Sequence, residues 1–341
     1  MPRFQTPAAA ASGGVERETA TTRSVPRIEL HTSRFSKYVD IAFRYSLLLC
    51  SISILAVMAL FFYELTSRSK LSIARFGLKF FMGNTWDPVA GDFGAMPFIY
   101  GTLLSSLVAL VLAVPLAVGV AVFVTELCPR FLRGVISFTV ELLAAIPSVI
   151  YGLWGIFVLA PLLRKYVEPW LGDHFGWTGL FTGPMYGIGM LAAGVILAIM
   201  IIPIIASITR EVLVAVPQSQ REAVLALGAT RWEMVRMAVL RNARVGIAGG
   251  IILGLGRAIG ETMAVTMLIG NRPEVAKSLF APGYTMASVI ANEFSEATDD
   301  LYLSALVEIG LVLLIVTFIV NALARLLVWS ITSGHSARNN A

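Results

Sequence analysis

Histidine and cysteine are nearly missing from this chain, three and two residues in 341, and their placement excludes more chemistry than their number does. His31, His174 and His335 fall in separate polar stretches, without ligand spacing to one another or to cysteine, so no metal site is readable. Cys50 lies in an apolar run and Cys128 in a short loop, so no disulfide framework is implied. No Ser–His–Asp or Cys–His arrangement can be assembled, and an enzyme is not expected. The sequence also lacks a GxxxxGK[ST] stretch, so ATP binding through a phosphate loop is not expected either. An early apolar core of the kind a cleaved signal peptide needs is absent: residues 1–40 are polar and read as a disordered cytoplasmic tail.

Charge is scarce as well. Only 14% of residues are Asp, Glu, Lys or Arg, against 57% hydrophobic, where soluble domains average about 25% charged. The chain reads as an all-α integral membrane protein in contact with lipid. Its formal net charge of +5 does not point to nucleic acid, because the basic residues are scattered among loops that alternate with apolar runs.

Runs long enough to cross ~30 Å of hydrocarbon at ~1.5 Å per residue occur near 41–63, 98–124, 135–160, 186–209, 246–270 and 301–329, which predicts six transmembrane helices. Pro115, Pro147 and Pro203 predict kinks. Segment 210–245 carries Arg210, Arg221, Arg231, Arg236, Arg241 and Arg244, whereas 271–300 is mostly acidic; the positive-inside rule makes the first cytoplasmic and the second external. Both termini are then cytoplasmic, including a tail over 330–341. Loop 64–97 is assigned outside despite Arg68, Lys70, Arg75 and Lys79, and its "LSIARFGLKFFMG" predicts an amphipathic helix on the membrane surface.

The fifth run contains what the others lack, an arginine and a glutamate deep among apolar residues: "GLGRAIGETMAVTMLIG", residues 254–270. On an uninterrupted helix, Gly246, Gly250, Gly254, Arg257 and Glu261 share an arc of roughly 80°. The glycines allow another backbone close approach. Gly249, Gly256, Gly260 and Met267 form a second small face suited to packing on another helix of the bundle. Two readings of the charged pair stand: an i,i+4 salt bridge that neutralises both groups inside the bundle, or a pair lining a solute path. A guanidinium fork suits carboxylate, sulfate or phosphate oxygens, with Glu261 tempering the attraction; Glu261 as a proton carrier is the other possibility.

Between the fourth and fifth runs lies "REAVLALGATRWEMVRMAVLRNARVG", residues 221–246. Its apolar spacing, with Gly228 as a stop, predicts a helix–turn–helix on the cytoplasmic face; an ordinary amphipathic loop has the same periodicity.

Glu222, Ala223, Gly228 and Leu240 resemble the EAA motif of ABC-importer permeases, departing from it at Val224, Ala238 and Arg241. The blocks "FGAMPFIYGTLLSS", "ELLAAIPSVIYGLWGIFVL" and "GGIILGLGRAIGETMAVTMLIGN" resemble the phosphate-specific branch of that family. The resemblance implies a type I ABC importer (MetI-like) fold in a bacterial inner membrane. It divides the chain into the tail 1–40, a first transmembrane helix 41–63, a periplasmic loop 64–97, a permease core 98–329 containing the cytoplasmic coupling loop 210–245, and the tail 330–341. It further implies a phosphate pathway through Arg257 and Glu261, and docking of Glu222, Ala223 and Gly228 on an ATPase. Its implied partners are a second permease subunit, an ATPase dimer that uses ATP and magnesium, and an extracytoplasmic phosphate-binding protein. The chain itself would bind no cofactor. A permease for sulfate or molybdate, and a proton-coupled anion carrier, are the alternatives.

Overall fold

Small residues set how closely the helices meet. In the helix Met96–Val122, Ala109, Ala113 and Ala117 recur every fourth position and are fully buried. They form a groove into which Leu197, Ile201 and Ile205 of the helix Met190–Val214 pack, giving the chain's main core. The computed structural model describes residues 34–336, with side chains from 38 to 330. Of the expected tails, 1–33 and 337–341 lie outside the described residues.

Among the described residues, six helices are long and apolar enough to cross a membrane: Tyr38–Arg68, Met96–Leu127, Ser148–Thr178, Met190–Val214, Arg231–Gly260 and Asp300–Ser330. The chain divides at Met58 into two units. In the first, helix already begins at Arg34, inside the stretch expected as tail, and side chains from Tyr38 to Met58 are exposed.

Two spans differ from expectation. The third begins at Ser148, not near 135. Residues 130–145 instead form a separate amphipathic helix, Arg130–Ala145, which ends where Ile146 and Pro147 turn extended. Proline 147 removes a backbone donor and disfavours helix at the residue before it, so the apolar run is cut in two, whereas Pro115 and Pro203 stay inside unbroken helices. Glu141 of the amphipathic helix pairs with Arg210 of the fourth span at 2.9 Å, and at this exposure the pair contributes about 1 kcal/mol at most.

The fifth span stops at Gly260. Glu261 is extended (φ −73°, ψ 130°) and a short helix, Met263–Leu268, follows. The break lets Met267 and Leu268 pack over Gly152 and Gly155 of the third span, where a Cβ would collide with them.

Loop 64–97 holds two short helices, Lys70–Phe76 and Lys79–Met82, and a small antiparallel pairing of Trp86 with Phe93. It does not simply rest on a membrane surface. Phe80 is fully buried with Phe93, Phe98 and Tyr302, and the Ser72 amide donates to Ser304 Oγ of the sixth span at 3.2 Å. Nearby, a Cβ on Gly101 would collide with the Tyr284 carbonyl oxygen. Backbone cannot yield as a side-chain tip can. Gly101→Ala is expected to lower the thermal stability of the purified protein by the ~1–3 kcal/mol typical of overpacking, read as an earlier unfolding midpoint.

Candidate functional site

The glycine stripe of the fifth span faces the fourth span. A Cβ on Gly246 would fall 2.5 Å from Val212 Cγ1, on Gly250 3.2 Å from Ile208 Cγ2, and on Gly254 2.8 Å from Ile205 Cδ1. The fifth span is therefore seated closely against the most buried span of the chain. Around Gly249, Gly256 and Gly260 no atom lies within 4 Å of where a Cβ would be. The second small face is not packed by the described residues, and Met267, grouped with it on an uninterrupted helix, sits instead over Gly152.

At the outer limit of ion-pair distance, Arg257 Nη2 lies 3.9 Å from Glu261 Oε2. The two ends of that pair differ in environment: the arginine side chain is 42% exposed and the glutamate 8%. A charge-assisted hydrogen bond would be about 2.7–2.9 Å, so the guanidinium is held near the carboxylate without being consumed by it. Among the described residues it donates no hydrogen bond. Because Glu261 follows the helix break, its direction is set by extended backbone and not by the helical arc. Tyr151 of the third span stands beside Gly152, over which Met267 packs, and its hydroxyl donates to the Leu143 carbonyl at 2.8 Å. Tyr151 was not singled out in the sequence, where only its place in the "ELLAAIPSVIYGLWG" block marked it.

Non-helical backbone at membrane depth persists where protein buries it or where it lines an aqueous cavity. Here the break and an exposed cation coincide. That arrangement can receive the oxygens of an anion in a planar fork, with a carboxylate behind to keep the hold loose.

The second cluster lies between the fourth and fifth spans. Helix Gln218–Ala226 is followed by Gly228 at φ +83°, a left-handed turn that other residues adopt only with strain, and then by Thr230, whose side chain caps the next helix in a reciprocal box with Glu233. Glu222, Ala223 and Gly228 are exposed, and so are Leu225, Leu227 and Trp232. Arg241, one of the departures from the EAA motif, sits inside continuous helix after the wide π turn Val235–Leu240.

What holds this element is a residue the sequence reading passed over. Arg221 pairs with Glu126 at the end of the second span (3.0 Å) and donates to the carbonyls of Leu213 (2.8 Å) and Val216 at the end of the fourth. Asn242 of the fifth span donates to Gln220 at 2.6 Å. The exposed element is thus fastened to three spans. In the sequence Arg221 stands out only as one of the six arginines of segment 210–245.

The family of binding-protein-dependent transport system inner membrane components matches residues 113–332. The chain belongs to this permease family. It is a multi-pass inner-membrane transport component, not a catalytic one. A phosphate transport system permease protein of Mesorhizobium japonicum is 51% identical over 74% of this chain and 79% of its own. One of Pasteurella multocida is 43% identical over 89% of this chain and 97% of its own. A solved bacterial ABC transporter involved in importing the acidic polysaccharide alginate has a chain that shares the fold, with a TM-score of 0.56 at 16% identity, covering 84% of this permease and 98% of that chain. Both clusters fall inside the matched permease region. Among the described residues no group of His, Cys, Asp or Glu is arranged to hold a metal.

Proposed function

We propose that this permease is the phosphate-conducting subunit of an ATP-driven importer, forming half of the pore with a second permease subunit. Two extensively matching relatives are phosphate permeases, but the observation that carries the reading is Arg257, a half-exposed guanidinium at the break of the fifth span with a buried carboxylate 3.9 Å away. An ATPase dimer using ATP and magnesium docks on Glu222, Ala223 and Gly228 from the cytoplasm, and an extracytoplasmic phosphate-binding protein delivers the anion from the other side. The arginine-rich loop 210–245 lies on the ATPase side, and with six spans both termini are then cytoplasmic. ATPase closure moves the docking element, and Arg221 and Gln220 pass that motion to the second, fourth and fifth spans.

The test is labelled phosphate uptake in cells lacking other phosphate importers, with sulfate as competitor. Phosphate is expected to enter and sulfate to compete poorly. Import of sulfate in its place overturns the assignment, and uptake driven by a pH gradient in ATP-depleted cells replaces it with a proton-coupled carrier. Glu261→Gln keeps the shape of the site and removes the charge that offsets Arg257. Uptake is expected to fall several-fold because a bound anion is released more slowly, a change read as a lower maximal rate without loss of assembled complex.

A further inference from the structure

Half-way along the third span the apolar sequence ends, and Arg164 and Lys165 follow within the π turn Leu163–Val167. Both are exposed. Among the described residues neither has a carboxylate within ion-pair distance; Lys165 Nζ lies 5.0 Å from the ring centre of Tyr166. They line a cavity of about 440 Å³ together with Ile156, Ala160, Tyr186 and Ile188.

The cavity wall is built. Gly187, at φ +73°, lies so close to the Ala160 carbonyl that no side chain fits, and a Cβ there would come 3.0 Å from Arg164 Cβ. Its amide donates at 3.1 Å to Glu168 Oε2, and Glu168 is only 1% exposed. This clamp presses the segment carrying Tyr186 and Ile188 onto the helix turn carrying the two cations. Glu168, one turn from Arg164 and engaged by the Gly187 amide, fixes the wall without neutralising the cations at ion-pair distance. Single π turns inside α-helices recur at functional sites.

Arg164 stands twelve positions beyond Gly152, roughly 20 Å along the helix, and Gly152 is where Ala264 and Met267, just past the break in the fifth span, pack against the third. Resting on the orientation and substrate class given above, we propose that Arg164, Lys165 and Tyr186 form an outer binding station for a phosphate-type anion, about 20 Å along the third span from the level at which the broken end of the fifth span packs on it. A cleft lined by one sign of charge concentrates counter-ions and speeds their capture. The same chemistry would also seat the phosphate of an anionic lipid headgroup.

The experiment uses Ile188→Cys in a background of Cys50→Ser and Cys128→Ser, in the assembled transporter reconstituted in phosphatidylcholine vesicles. A negatively charged thiol reagent is expected to react about ten-fold faster than a neutral one of the same size, and this preference is expected to vanish in the Arg164→Gln/Lys165→Gln variant. Inorganic phosphate slowing the labelling in phosphatidylcholine alone identifies the free anion as occupant; slowing only after phosphatidylglycerol is added identifies a headgroup. Equal rates with both reagents, or no protection from either source, overturn the station. If the unmodified transporter imports phosphate while labelling shows no charge preference, the outer station alone falls. If it does not import phosphate, the functional assignment fails whatever the labelling shows.

Discussion

Arg257→Ala is expected to abolish phosphate uptake while the protein still assembles and co-purifies with its partner subunits. Two charge-assisted hydrogen bonds to a phosphate are lost, each about 1.5–3 kcal/mol, which corresponds to a hundred-fold or more in anion occupancy. The structural cost is smaller, since the arginine side chain is 42% exposed and its contact with Glu261 is 3.9 Å long. The buried Glu261 is the one group left worse off, and this gives the decisive control. In Arg257→Ala/Glu261→Gln the unpaired carboxylate is gone. If uptake returns in the double variant, the arginine served only to neutralise Glu261, and the salt-bridge reading stands. If uptake stays absent, the guanidinium contacts the anion. Arg257→Lys keeps the charge without the planar fork and is expected to fall between, with a higher phosphate concentration for half-maximal uptake.

Hydropathy made most of the fold legible, because a span long enough to cross a bilayer is a local property. The places where the reading slipped are those where distant packing decides. The run 135–160 is largely apolar, yet Pro147 cuts it and its first half belongs to the separate amphipathic helix Arg130–Ala145, while the third span runs on through Arg164, Lys165 and Glu168 to Thr178. Hydropathy measures the length of an apolar run and not the break that a proline puts in it. The break at Glu261 was hidden for a similar reason: the periodicity continues through it, and only the space over Gly152 and Gly155 shows why the chain turns there. Loop 64–97 showed its amphipathic pattern, but its seat on the sixth span rests on contacts such as Ser72 with Ser304, far apart in sequence. Gly228 was legible as a stop because its signal is local backbone chemistry, and the structure has it at φ +83°. Arg221 was not, since nothing local distinguishes it from the other arginines of its loop.

That residue gives the other large effect. Arg221→Met is expected to bring uptake close to background while the assembled complex still hydrolyses ATP, because the docking surface of Glu222, Ala223 and Gly228 is untouched and only its fastening is cut. Arg221 and Glu126 are 11% and 10% exposed. Removing one partner of a pair so nearly buried leaves an uncompensated charge and costs about 3–5 kcal/mol, so a lower unfolding midpoint is expected too. Loss of uptake alone would therefore not separate a mechanical link from a damaged fold. Arg221→Met/Glu126→Leu does separate them. Replacing both members of a buried pair by apolar side chains is often neutral or stabilising, so the double variant is expected to recover its unfolding midpoint. It also lacks the donors that bind Leu213 and Val216, so the docking helix remains unfastened from the second and fourth spans, and uptake is expected to stay low with ATP hydrolysis uncoupled from transport. Recovery of uptake along with stability would show that the pair only holds the fold, and would leave the Gln220–Asn242 bond and ordinary packing to carry the stroke.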